Sequence, residues 1–411
     1  MGSERPIVLF TGVQRLAREV SRMGYESACL VEPGEQPSDP QDVAHWIPYD
    51  PSDLEALESW ARNWEHRDRV VAVINRRERR VMEHAVLNRA LGRQGLTLEQ
   101  AMIMRDKLSL RKHLARGASH LNPRFKEVGL GGRVPSSLRF PVLLKPRNFF
   151  KSQLIVSCPK RQDWERAMAE VSSGWEDAQR RHGVRLEQTL VAEQEVSGLH
   201  FSIDAMIGSD GSVLFTPAVD LTTAKQWALD DNHVAIRSMP IYVGPEDECR
   251  LQEAVRDLVE SLGLKASPIH VDLVMEEDER VLVLDAAPRI GGYRSEMMEL
   301  AWGCSLDLMS LKLALGEQVE WAPRWQRSVA VVELFPEAPG VLKAIHGLER
   351  VRALESFHRL KQRVPLGSQV GLARGGFRCP LFVVLCHPER GVVSRDISLL
   401  RRYVHLEVSA S

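Results

Sequence analysis

At 411 residues the chain exceeds what one ordinary hydrophobic core supports, so two to four domains are expected. Its 44% apolar and 27% charged residues are those of a soluble globular protein, and a net charge of −1 argues against nucleic acid or an anionic membrane as the main partner. Six scattered cysteines without a CxxC pair, no 18-residue apolar run and no signal-peptide pattern argue against a zinc or disulfide framework and point to reduced thiols in a cytoplasm.

Taken from the start, Ile7–Phe10 is an apolar run, Thr11-Gly12 a turn, and Leu16, Val20 and Met23 a helical stripe leading to a second run, Ala28–Val31. Ser52 is placed to cap a helix carrying Leu54, Leu57, Trp60 and Ala61, and Val70–Ile74 reads as a third strand. Repeated strand–helix units imply a parallel sheet, hence an open α/β domain over residues 1–100. A GxGxxG after the first strand is lacking, so dinucleotide binding is not supported. A basic helix over Met102–Gly117 follows, then a Gly/Ser/Pro-rich connector at Gly129–Ser137. Phe140–Lys145 is a strand ending in lysine, with Ile155–Ser157 as its hairpin return, and Trp164–Arg181 is a polar helix. Leu190–Glu195 and Phe201–Ile207 read as strands joined through Ser197-Gly198, and Ser209-Asp210-Gly211 turns into Val213–Phe215. A helix is expected around Met297–Leu315. Beyond residue 319 the chain is strand-rich, with strands at Val329–Leu334, Gln369–Leu372 and Leu381–Cys386 and a helix near Pro339–Ile345.

The stretch His270–Arg294 is the most informative. Asp278-Glu279 reads as a two-residue turn between apolar alternating runs, so Met275 meets Leu282, Leu273 meets Leu284 and Asp272 falls opposite Asp285. Opposed residues sit roughly 4.5–5.5 Å apart at Cβ, where like charges destabilise a sheet, so such a pair points to a cation between them. Two carboxylates without a nearby cysteine suit a hard ion, Mg2+ or Mn2+, and therefore a phosphate-handling site. Asp285, Ala287 and Arg289 share a strand face, and Gly291-Gly292 lets the backbone turn sharply or approach a ligand. The alternative is a solvated hairpin face whose arginine pairs with the two aspartates.

Four segments, in order, carry a resemblance to a known family: Arg105-Asp106-Lys107 with Arg111 and Gly117; Pro141–Pro146 with its Lys145, followed by Asn148–Ile155; Val191–Asp204; and the hairpin itself. Together they resemble the ATP-grasp superfamily of carboxylate–amine ligases, most closely its amino-acid (dipeptide) ligase branch, over residues 100–315. The resemblance implies an α/β (α+β) ATP-grasp fold, with an N-terminal open α/β domain (1–100), a nucleotide-binding region (101–318) including a lid subdomain near 137–195, and a C-terminal strand-rich domain (319–411). It implies that ATP is held by Lys107, Lys145, Ser152 and His200, with Glu193 and the Glu195–Val196 backbone meeting adenine and ribose, and Mg2+ or Mn2+ on Asp272 and Asp285. Arg289 would stabilise the acyl phosphate and tetrahedral oxyanion, assisted by the Gly291 or Gly292 amide. His233 would orient the substrate or deprotonate the amine, and Tyr293 and Arg294 would line the amino-acid pocket. The family's phosphate loop reads N-x-x-G-S-x-G-V, and here both glycines are replaced, by Lys151 and Leu154; Phe149, Phe150 and Lys151 would belong to a mobile lid. The implied activity joins a small carboxylic or amino acid to an amine, releasing ADP and phosphate, in a monomer or homodimer. A carboxylase-type enzyme acting through carboxyphosphate and a nucleotide-binding regulator with little turnover are the alternatives.

Overall fold

The computed structural model describes residues 5–12, 16–34, 42–149, 152–183, 185, 187–227, 229, 231–241, 243–320 and 324–409. The fold mixes helices and sheets. Strands β1 (Ile7–Phe10), β2 (Glu26–Val31), β3 (His45–Pro48) and β4 (Val70–Ile74) form a parallel sheet in the order β3-β2-β1-β4, crossed by α1 (Ala17–Arg22), α2 (Leu54–Asn63) and α3 (Val81–Ala90). Two details differ from expectation. Asp53, not Ser52, caps α2, accepting from the Ala56 amide at 2.8 Å, while the Ser52 hydroxyl turns back to Asp50. Met23 lies past the end of α1 and is exposed.

The expected basic helix is two helices, α4 (Leu98–Arg105) and α5 (Lys107–Gly117), broken at Asp106, whose carboxylate accepts the Leu108 and Ser109 amides. A cap that satisfies two orphan donors is more favourable there than a continuous helix. A second, antiparallel sheet, ordered β5-β8-β6-β7, contains β5 (Phe125–Gly129), β6 (Val142–Pro146), β7 (Val156–Cys158) and β8 (Thr189–Gln194). The helix α6 (Trp164–His182) covers one face, burying Trp164, Ala167, Val171 and Trp175 against Val142, Leu144 and Val156.

The central sheet is antiparallel and nine-stranded. Its main path runs β14 (Val281–Ala287), β13 (Ser267–Met275), β9 (Leu199–Ile207), β11 (Val219–Thr223), β12 (Val234–Met239), β15 (Ser328–Leu334), β19 (Leu381–His387), β17 (Phe357–Gln362), with β10 (Val213–Phe215) paired to β9. Thus β8 and β9, read as strands joined through Ser197-Gly198, belong to different sheets. Alternation decides the faces: Phe201, Ile203, Ala205, Val271 and Leu273 pack on α7 (Pro245–Leu262), α4 and α5, leaving the intervening residues to face the other way. The expected helix around Met297–Leu315 is again two, α8 (Arg294–Trp302) and α9 (Leu306–Ala314), separated by left-handed Gly303 and capped afresh by Ser305. Residues 340–346 form a strand, not a helix: β16 (Gly340–His346) pairs with β18 (Gln369–Val370) and β20 (His405–Ser409), and that pairing overrides local preference. Helices α10 (Leu348–Arg352) and α11 (Arg390–Tyr403) complete this region. None of the described helices is long and apolar enough to cross a membrane.

Candidate active site

Three neighbouring strands present polar residues on the face opposite α7. His200, Ser202 and Asp204 come from β9, His270 and Asp272 from β13, and Asp285 from β14, with His270 opposite Asp204 and Asp272 opposite both Ser202 and Asp285. The hairpin register is reached differently from the expectation. The loop is Glu277–Glu279, three residues closed by the Glu276 amide on the Arg280 carbonyl, with Glu279 at φ 65°. Leu273 therefore faces Val283 and Met275 faces Val281. A bulge between Asp272 and Leu273 then adds one residue on β14 and restores Asp272 to Asp285. Leu282 thus leaves the Leu273 and Met275 face, which the core fills with Val281 and Val283.

Each carboxylate has an internal cation. Lys107 Nζ lies 3.2 Å from Asp285 Oδ2, and His270 Nε2 lies 3.3 Å from Asp272 Oδ1. Burial pushes the Asp272 carboxyl up, but the charge and hydrogen bond of His270 outweigh it and hold it at about 2. Burial works against the His270 imidazolium as well, yet Asp204 and Asp272 raise it to about 9, so both ring nitrogens donate at neutral pH. The facing aspartates are thus balanced without a metal, which removes the necessity argued from sequence while leaving the donor set. Among the described residues no group of three or more His, Cys, Asp or Glu is placed to hold a metal ion. Two carboxylates fit a hard cation whose other ligands are phosphate oxygens and water, the usual arrangement for Mg2+ in phosphoryl-transfer sites.

Arg105-Asp106-Lys107 divides three tasks. Arg105 donates to the Glu78 carbonyl at 3.2 Å, Asp106 caps α5 and pairs with Arg147, and Lys107 reaches Asp285 and, at 2.7 Å, the Phe149 carbonyl. Lys145, at the end of β6, is buried and paired with Glu193 on β8. Burial exceeds the pull of Glu193 and holds the ammonium below its ordinary range. Arg111 Nε donates to the other oxygen of Glu193 at 2.6 Å. Glu193, 1% exposed, is therefore the shared counter-ion of two cations rather than a free reader of adenine. Glu195 is also engaged, 2.7 Å from Lys225 Nζ and accepting from Ser157 at 2.7 Å. Val196 is half-buried beyond β8, and His200 lies near Asp272 and Lys145, its imidazolium disfavoured chiefly by burial.

Ser152 and Leu154 both adopt left-handed backbone, φ 54° and 57°. Leu154 stands where the family pattern has glycine and keeps a glycine-like conformation, with its side chain fully buried against α6. Left-handed backbone costs a branched residue roughly 1–2 kcal/mol, whereas burying and then deleting a leucine costs about 2–5 kcal/mol. Leu154→Gly is therefore expected to lower stability in chemical denaturation by about 1–3 kcal/mol, despite relieving strain; a gain in stability would refute this account. Phe149 is 4% exposed and edge-on to His182 with ring centres 5.2 Å apart, so it is a core residue rather than part of a mobile surface. Phe150 and Lys151 lie outside the described residues.

Helix α6 and the loop before β7 also dock on the C-terminal region. Gln153 Nε2 donates to the Phe377 carbonyl at 2.6 Å, His182 Nε2 lies 2.9 Å from the Gly376 carbonyl, and Arg181 stacks on the Phe377 ring at 4.0 Å. Arg374 pairs with Glu170 at 3.0 Å, and its amide donates to Asp231, next to the loop carrying His233.

Arg289 donates from Nε to Glu78 at 2.6 Å and from Nη1 to the Ile290 carbonyl at 2.9 Å, so the N-terminal domain orients it. The Gly291 amide donates to Asp204 at 2.6 Å and is not available to an oxyanion; the Gly292 amide has no such bond among the described residues. Gly291 has a steric role, because a Cβ there would lie 2.5 Å from His270 Nδ1. Tyr293, at φ 66°, donates to Glu333 at 2.5 Å and accepts from Arg363 at 2.6 Å, with Arg237 over its ring. Arg294 is buried between Asp204 and Ser202. His233 is buried too: its ring packs 4.3 Å from Phe335, its Nδ1 lies 3.5 Å from the Asp231 carboxylate without making a hydrogen bond, and among the described residues no contact ties it to Asp272 or Asp285. Sequence reading missed Glu78 and Arg237, which have no local pattern, and gave no role to Asp204, whose place in the Leu199–Ile207 alternation was a usable signal.

Residues 138–297 match the family described as ATP-grasp domain. An uncharacterized protein, y4rH, of Sinorhizobium fredii (strain NBRC 101917 / NGR234) is 27% identical over 184 residues, 44% of this chain and 37% of that protein's length. The L-amino acid ligase of Bacillus licheniformis superposes over 100% of both chains with TM-score 0.81 and 18% identity. N5-carboxyaminoimidazole ribonucleotide synthetase from Thermotoga maritima gives 0.69 at 14% identity over 99% of this chain and 100% of its own. Biotin carboxylase from Campylobacter jejuni gives 0.64 at 13% identity over 99% and 93%. At these identities the structural likeness is one of fold.

Proposed function

We propose, from the match of residues 138–297 to the ATP-grasp domain family and from the shared fold, that the chain joins an amino acid or small carboxylic acid to an amine through an acyl phosphate, using ATP and Mg2+ and releasing ADP and phosphate. The observation that carries this reading is the pair Asp272 and Asp285 on adjacent strands, flanked by Lys107 and followed by the Arg289–Gly292 turn. A bound Mg2+ would supply charge neutralisation at the transferred phosphate. Asp272 and Asp285 would hold it. Lys107 and Lys145 would meet phosphate oxygens, each exchanging part of its present pairing for the ligand. Arg289, fixed by Glu78, would face the acyl phosphate and the tetrahedral oxyanion, with the Gly292 amide beside it. His233, buried with its Nδ1 3.5 Å from Asp231 and neither nitrogen hydrogen-bonded, would receive a polar group of the substrate or take the amine proton. Small molecules are the partners in this proposal; a homodimer and a cytoplasmic location remain compatible proposals.

The test is release of ADP and phosphate from Mg-ATP with amino acids offered singly and in pairs. ADP plus phosphate that requires a particular pair supports the ligase. AMP would replace the mechanism by adenylation, dependence on bicarbonate would favour the carboxyphosphate reading, and ATP binding without turnover would favour the regulator. In the active protein Arg289→Ala is expected to lower kcat about a hundredfold with KM for ATP changed less than about threefold. Equal losses in both would assign Arg289 to binding instead.

A further inference from the structure

We infer that Asp204 is a positioning residue for the reaction proposed above, on which this inference rests: a buried carboxylate that ties the turn after β14 to the strands carrying the aspartate pair. Asp204 is 1% exposed on β9. Its Oδ1 accepts the Gly291 amide at 2.6 Å, and its Oδ2 accepts from His270 Nδ1 at 3.1 Å and lies 3.5 Å from Arg294 Nε. Its own backbone is held on both sides by Thr216, whose amide donates to the Asp204 carbonyl at 2.8 Å and whose hydroxyl accepts the Asp204 amide at 3.2 Å.

Topology explains why such a residue is needed. β14 is the edge strand of the central sheet, so no further strand holds the segment that leaves it. That segment carries Arg289, Gly291, Gly292 and Arg294. The Gly291–Asp204 bond reaches past β13 to β9 and seats the turn over the His270 ring, in a gap too small for a Cβ. The same carboxylate orients His270, whose other nitrogen faces Asp272. One side chain thereby fixes the spacing between the Arg289–Gly292 turn, which it holds through the Gly291 amide, and the Asp272 carboxylate, which it reaches only through His270. It is also the negative charge shared by His270 and the guanidiniums of Arg76, Arg289 and Arg294. Buried cations that lose such a partner rearrange or become costly.

Asp204→Asn keeps the size and the Gly291 acceptor but removes the charge that holds His270 and Arg294. The expected result is a fall in kcat of about a hundredfold with KM for ATP within about threefold, and faster hydrogen exchange over residues 288–294, with secondary structure unchanged by circular dichroism. Gly291→Ala, which disturbs the same joint by crowding His270 and Arg294 while removing no charge, is expected to reproduce both effects and serves if the Asn variant fails to fold. Variants with near wild-type kcat and unchanged exchange would overturn the inference. So would loss of kcat and ATP affinity in equal measure, which marks a merely structural role. The exchange experiment needs no turnover, so an inactive wild-type protein would defeat the ligase proposal and leave the tie between Asp204 and the turn testable.

Discussion

Asp272→Asn is expected to reduce kcat by about a thousandfold while the protein remains folded and still binds ATP. The carboxamide matches the carboxylate in shape, so β13 and its register with β9 and β14 are undisturbed. The loss is of charge at the point where a cation would bridge to phosphate. Charge stabilisation by a metal in such a site is worth several kcal/mol, and about 4 kcal/mol corresponds to a factor of about a thousand. His270 keeps its bond to Asp204, so the variant does not strand an imidazolium. Steady-state kinetics at saturating Mg-ATP, beside a thermal melt, decides the matter. Turnover within about fivefold of wild type would reduce the aspartate face to a solvated hairpin.

The second large effect is on stability. Glu193→Gln leaves Lys145 and Arg111, both buried, without their common counter-ion. Removing one partner of a buried ion pair costs about 3–5 kcal/mol, because the remaining charge cannot be solvated. The glutamine still hydrogen-bonds, which places the expected loss near the lower end, about 3 kcal/mol, in urea denaturation. A direct contact with adenine predicts the reverse: weakened ATP binding at unchanged stability. Urea titration and nucleotide titration of one variant therefore separate the two roles.

The sequence made the aspartate pair legible for a reason that survives an error in detail. Placing a two-residue turn at Asp278-Glu279 mispaired the outer hairpin by one position, and the bulge beside Asp272 compensated for it. Neither a left-handed Glu279 nor a bulge has a one-residue signature, so only long-range pairing could reveal them. Local alternation found β6, β9, β13 and β14 because each buries one face. It failed at β16, where a strand depends on β18 and β20, distant in sequence. Motif matching singled out Glu193 and Glu195 but could not foresee their partners, since Arg111, Lys145, Ser157 and Lys225 converge only in the fold. The lysine and arginine motifs were read as ligand-binding groups, whereas the structure pairs nearly every one internally.

The docking of α6 and the loop before β7 on the C-terminal region has a consequence for inheritance. Gly376 has φ 75°, and a Cβ there would come within 2.8 Å of the Ala178 side chain on α6. Gln153 and His182 bond to backbone carbonyls of the same short segment, so their side chains depend on its path rather than on its side chains. Two stretches about two hundred positions apart are therefore bound to drift as a pair. An α6 segment borrowed from a relative would arrive without its counterpart, and a chimera has to carry both.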